Sequence, residues 1–226
     1  MNHPRLVAGL TVLLAGVVVC IGAVIVGPFA VPSLAAGSVS ETRDVSGFDR
    51  IRLEGAFTTE ITAGKDGTAV VISGNRDLVG RVTTEVNGDT LVVGMHGSGF
   101  GFFEGSPKIE ITLPVLRGFS NSGAGSATIA GLTGGDIEIE NAGAGSIVAT
   151  GLADREDVTL AGVGTIDTTG LDAQDVTVSN DGVGSVHVRA SGNLTMNVDG
   201  VGEIRYAGTP AHIESEVNGI GKIGRL

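Results

Sequence analysis

Residues 141–188 read NAGAGSIVATGLADREDVTLAGVGTIDTTGLDAQDVTVSNDGVGSVHV. The stretch holds three doublets of glycine around one residue, Gly143-Ala144-Gly145, Gly162-Val163-Gly164 and Gly182-Val183-Gly184. Outward from it, Gly123-Ala124-Gly125 precedes and Gly200-Val201-Gly202 and Gly219-Ile220-Gly221 follow, so that first glycines stand 20, 19, 20, 18 and 19 residues apart. A fixed period near twenty means one structural unit copied along an axis. Each unit reads as strand. The second residue after each doublet is aliphatic (Ala127, Ile147, Ile166, Val186, Ile204, Ile223), and alternating runs such as Ile137/Ile139, Val158/Leu160, Val176/Val178 and Leu194/Met196/Val198 lead to the next doublet. Period-two alternation of β-branched residues without helix caps argues strand and against helix.

The period selects the architecture. A propeller blade needs about 40 residues, and a sandwich needs no glycine in register every twenty. A parallel β-helix does, because its rungs stack about 4.8 Å apart and equivalent residues form columns. Aliphatic columns make the interior; glycine columns mark a corner where the backbone adopts φ > 0 or chains approach closely. The expected fold is all-β, a right-handed parallel β-helix or solenoid with 19–20 residues per rung and repeats from about residue 121. An irregular β region precedes the repeats and caps one end. In it, Asn87-Gly88 is a tight-turn signal, Asp77 to Val82 forms a helical turn, and Gly94 to Pro107 is a loop.

Composition narrows the function. Of 226 residues, 38 are glycine, and aromatics comprise seven Phe, one Tyr and no Trp. Fourteen basic against 25 acidic residues give a net charge of −11, which disfavours nucleic acid as a partner. One cysteine, Cys20, supports neither an internal disulfide nor a cysteine zinc cluster. The chain opens with a short basic segment ending at Arg5, and no charge occurs from Leu6 to Ser40. Two readings fit residues 1–36: a signal peptide cleaved near Ser33 and Ala35, or a hydrophobic helix through residues 6–27 that anchors the chain in the inner or plasma membrane. Both send the body, residues 45–226 after a linker at 37–44, to the periplasm, the envelope or the cell surface.

The run Gly47-Phe48-Asp49-Arg50-Ile51, the element Pro107-Lys108-Ile109-Glu110-Ile111-Thr112-Leu113-Pro114-Val115-Leu116 and the serial doublets resemble the head GIN domain family, labelled putative auto-transporter adhesin. The likeness spans about Val45 to Gly221. It implies a β-helix-like fold and an envelope or surface location, and it carries no catalytic residues. A chain ending at Leu226 is expected to lack the translocating barrel of an autotransporter.

Candidate chemistry follows from the columns. Aligned on the doublets, Thr128, Val148, Asp167, His187, Arg205 and Gly224 share one solvent-facing column. Asp167, His187 and Arg205 would bind an anion or assist proton transfer, or else pair as neighbouring charges on a sheet face. Asp136, Glu138 and Glu140, and Glu214 and Glu216, alternate outward as solvated carboxylates. Asn121, Asn141 and Asn180 precede doublets and would stack as an amide ladder. Phe100, Phe102 and Phe103 lie in the glycine loop, either as an exposed contact or as a lid on the solenoid end. No histidine spacing suits a metal, no phosphate loop precedes a helix, and no cofactor is expected. The reading is a non-enzymatic, adhesin-like binding or structural module, with polysaccharide or envelope protein as partner. The alternatives are a polysaccharide-acting β-helix enzyme working through Asp167 and His187, and a membrane-anchored envelope-sensing accessory protein.

Overall fold

The computed structural model describes residues 38–97 and 105–226. The N-terminal hydrophobic segment and Phe100, Phe102 and Phe103 lie outside the described residues. No helix among the described residues is long and apolar enough to cross a membrane.

Among the described residues the chain forms seventeen strands and one helical turn. The first part comprises β1 (Ser38–Arg43), β2 (Arg50–Glu54), β3 (Ala56–Thr62), β4 (Ala69–Asn75), α1 (Arg76–Val79), β5 (Val82–Asn87), β6 (Thr90–Met95) and β7 (Lys108–Thr112). The rest comprises β8 (Gly118–Asn121), β9 (Ala124–Thr133), β10 (Asp136–Asn141), β11 (Ala144–Leu160), β12 (Val163–Asn180), β13 (Val183–Ala190), β14 (Asn193–Val198), β15 (Val201–Gly208), β16 (His212–Val217) and β17 (Ile220–Arg225). These build a parallel β-solenoid whose glycine doublets stack in register over about five turns.

Two long ladders of parallel strands meet at the glycine corner. One runs β6, β2, β8, β10, the end of β11, the end of β12, β14 and β16. The other runs β7, β3, β9, the start of β11, the start of β12, β13, β15 and β17. Alternation sends one side chain of each pair inward, so Leu91, Ile51, Phe119, Ile139, Val158, Val178 and Met196 form a single column, all buried. Each such residue contributes about 1.5–3 kcal/mol, which sustains a narrow core with few aromatics.

The doublets have two different physical causes. Gly164 has φ +144°, a region that L side chains rarely adopt. Gly162 lacks such a φ, yet a Cβ there would run into the Gly143 carbonyl one rung below. The first glycine is therefore required by backbone approach alone, and the second by approach and conformation together.

The solenoid also begins earlier than the doublets suggest. Ala56 pairs with Ala124 and Phe57 with Gly125, while Arg50 to Leu53 pair with Gly118 to Asn121. Strands β2 and β3 are thus a regular rung, with Gly55 at the first glycine position and Phe57 at the second. The cap is the insertion between β3 and β8: β4 and β7 pair antiparallel, β5 and β6 form the hairpin turned at Gly88 (φ +66°), and α1 buries Leu78 and Val79. Asn75 caps α1, its Oδ1 accepting from Asp77 N at 2.9 Å. Residues 38–43, expected as a linker, form β1 antiparallel to β4. β6 carries Gly94 and Met95, so strand continues into the expected loop.

Candidate functional site

The column Thr128, Val148, Asp167, His187, Arg205, Gly224 stacks as expected. Two of its three ionisable members nevertheless find partners outside the column. Asp167 Oδ1 accepts from Thr169 N at 3.0 Å and from Thr169 Oγ1 at 2.7 Å. Arg205 Nε lies 3.2 Å from Glu203 Oε2, which Lys222 Nζ also approaches at 3.2 Å. The hydrogen bond from Lys222, helped by Arg205, holds the Glu203 carboxyl below its usual range. His187 Nε2 is buried without a partner. No ion pair joins Asp167, His187 and Arg205 to one another among the described residues, so the three do not pair as a charge ladder.

The acidic rows face outward. Glu138 Oε2 receives Arg50 Nη1 at 2.8 Å, a reach across the intervening Gly118, and Glu140 accepts from Ser120 Oγ at 2.9 Å. Glu214 and Glu216 are exposed. No cluster of three or more metal-ligating side chains occurs among the described residues.

The asparagines divide. Asn121 and Asn141 are paired positions, and Asn121 Nδ2 donates to Asn141 Oδ1 at 2.9 Å. Leu160 then interrupts the column before Asn180. Asn141 and Asn180 instead each donate Nδ2 to a doublet carbonyl, Gly145 at 3.4 Å and Gly184 at 3.3 Å. The expected ladder is a single amide pair plus local locks on the corner. Asn141→Ala should lower stability by about 2 kcal/mol, because it strands the Asn121 amide in the core. Urea unfolding of the variant beside wild type checks this.

Two features escape a reading based on the doublets. The first is a groove of about 490 Å³ at the corner opposite the glycines, lined by Leu152, Asp154, Asp172, Gln174, Arg189 and Ser191, among others. Arg189 Nε donates to Thr169 O at 2.7 Å and stands 3.6 Å from Asp172 Oδ1. Leu152 is 54% exposed here because β11 slips by one residue against both neighbours, pairing Leu152 with Thr133 and Asp172; a one-residue shift moves a side chain to the other face. The recurring Gly131-Leu132, Gly151-Leu152 and Gly170-Leu171 steps are the signal that marks this corner. The second is Glu156, fully buried in the column Ile137, Glu156, Val176, Leu194. Neither of its carboxyl oxygens has a hydrogen-bond partner of good geometry. Burial, opposed by the Thr168 hydroxyl and assisted by Asp157, raises its pKa to about 8. Its parity with Val158 and Leu160 marks it as inward.

Stacked rungs with extended outer rows and an open polar groove define the class as a parallel β-solenoid. Residues 47–210 match the family described as "Putative auto-transporter adhesin, head GIN domain", and the chain belongs to that family. Among solved structures it is similar to a putative adhesin from Bacteroides fragilis, with TM-score 0.71 and 25% identity over 85% of this chain and 98% of that one. A putative lipid binding protein from Parabacteroides distasonis (TM-score 0.54, 22% identity, 84% and 97% covered) shares the fold. So does a putative adhesin from Parabacteroides merdae (TM-score 0.53, 15% identity, 84% and 97% covered). A comparison with curated proteins finds no match.

Proposed function

We propose that the chain is a non-enzymatic binding module displayed outside the cytoplasm, which holds a polysaccharide of the cell envelope along its far-corner groove. The observation that carries this reading is the groove itself. It places carboxylate, amide, guanidinium and hydroxyl groups of Asp154, Asp172, Gln174, Arg189 and Ser191 on successive turns, at a rung spacing of about 4.8 Å. Such a row offers donors and acceptors to the hydroxyls of an extended polymer, and Leu152 adds an apolar contact. Family membership supports the binding role, and the uncharged segment from Leu6 to Ser40 supports export.

A glycan array followed by calorimetry tests the reading. Binding of an envelope polysaccharide is expected, weakened about tenfold, or about 1.4 kcal/mol, by Arg189→Ala or Gln174→Ala, with no bond cleavage. Absence of binding to any glycan, or turnover lost in Asp167→Asn, would overturn it in favour of another ligand or of an enzyme. Fractionating cells and sequencing the amino end of the recovered protein tests the location.

A further inference from the structure

The two ends of the solenoid differ. At one, the antiparallel pairs β4–β7 and β5–β6 and the helical turn α1 close the interior. At the other, β16 pairs only with β14 and β17 only with β15 among the described residues. The outer edge of each therefore presents free N–H and C=O groups, the template that recruits another strand. The interior is also open there. Leu194 and Val198 are 1% and 0% exposed, yet Ile213 and Val217, one rung further in the same columns, are 46% and 43% exposed.

We propose that this end docks onto a second copy of the chain. The terminal rungs pair across a two-fold axis, with β16 of one copy antiparallel to β17 of the other. The chain enters the glycine corner along β16 and leaves it along β17, so an axis through that corner lays each strand on the other in opposite directions and matches the corner with itself. Charge selects the same arrangement. Glu216 and Lys222 each lie three residues from Gly219, on opposite sides of the corner, so the axis brings each against the other in its partner. An axis through Ser215 in β16 would instead set Glu214 of each copy against Glu216 of the other, and like charges directly opposite are destabilising. The interface is isologous: it completes both free edges and covers Ile213, Val217 and Ile223 of both copies.

Sedimentation velocity of the full chain in density-matched detergent, with hydrogen exchange, tests the proposal. The wild type is expected to be a dimer with the amides of β16 and β17 protected. Lys222→Glu should weaken it at least about tenfold. Adding Glu216→Lys should restore it, a rescue that operates only between copies, because the two residues stand on different sides of one rung. Ile213→Lys should give a folded monomer, its melting temperature measured alongside. A wild type still monomeric at about 100 µM overturns the proposal, and so does a dimer indifferent to all three substitutions. A dimer whose β16 and β17 amides exchange freely does the same.

Discussion

Gly164→Val is expected to cost more than about 4 kcal/mol, the range reserved for substitutions the backbone cannot absorb. In a domain of this size that lowers the melting temperature by roughly 10 °C or more. Two penalties act at once. A β-branched residue is disfavoured at φ +144°, and its Cβ would meet the Gly145 carbonyl, an atom fixed within the ladder of the rung below. Relief would require the two rungs to part, which breaks the hydrogen bonds on either side of the corner. Gly162→Ala separates the causes, because Gly162 has an ordinary φ while its Cβ would still strike the Gly143 carbonyl. It should be destabilised by several kcal/mol as well. Gly224, where a Cβ would stand in open space, is the control: Gly224→Ala should change stability by less than about 0.5 kcal/mol. Thermal melts of the three variants side by side decide the matter. If Gly162→Ala is as harmless as Gly224→Ala, close approach is not what selects the first glycine.

The same physics explains what the sequence made legible. Contacts between rungs are made by residues at a constant offset, so every rung repeats the same demands. Ile147, Ile166, Val186 and Ile204 recur because each fills the same place, and all are buried. The rung of β2 and β3 breaks that offset. The cap is inserted between it and the next rung, and Phe57 replaces the second glycine, so no periodicity points to it. Electrostatic detail is also poorly legible. A column places Asp167, His187 and Arg205 in a row, but Asp167 and Arg205 choose partners along their own strands, Thr169 and Glu203. The groove escaped because its residues follow a slip in register, and a slip is a property of two strands together. Glu156 was visible by parity alone, yet an acid at an inward position runs against the usual rule that buried carboxyls are paired.

That acid gives the second large effect, in the dependence of stability on pH. The carboxyl ionises near 4.5 when unfolded and near 8 when folded, so between those values the folded chain holds a proton that the unfolded chain has released. Stability from this group is fully present in acid and falls as pH rises from about 4.5 to about 8, then levels off. At 1.36 kcal/mol per unit, on the order of 3 kcal/mol is lost between pH 4.5 and pH 7. Other carboxylates titrate in the same range, so the informative quantity is a difference. Glu156→Leu places an aliphatic residue in a column that already holds Ile137, Val176 and Leu194. The gap in unfolding free energy between Glu156→Leu and wild type should widen steadily from pH 5 to pH 8, with the leucine variant the more stable at the alkaline end. Glu156→Gln should cancel the slope but gain less, since a buried amide still lacks partners. Urea midpoints for the three proteins across that range supply the test. Parallel curves for wild type and Glu156→Leu would mean that water or a partner reaches the carboxyl in the folded state and keeps it ionised.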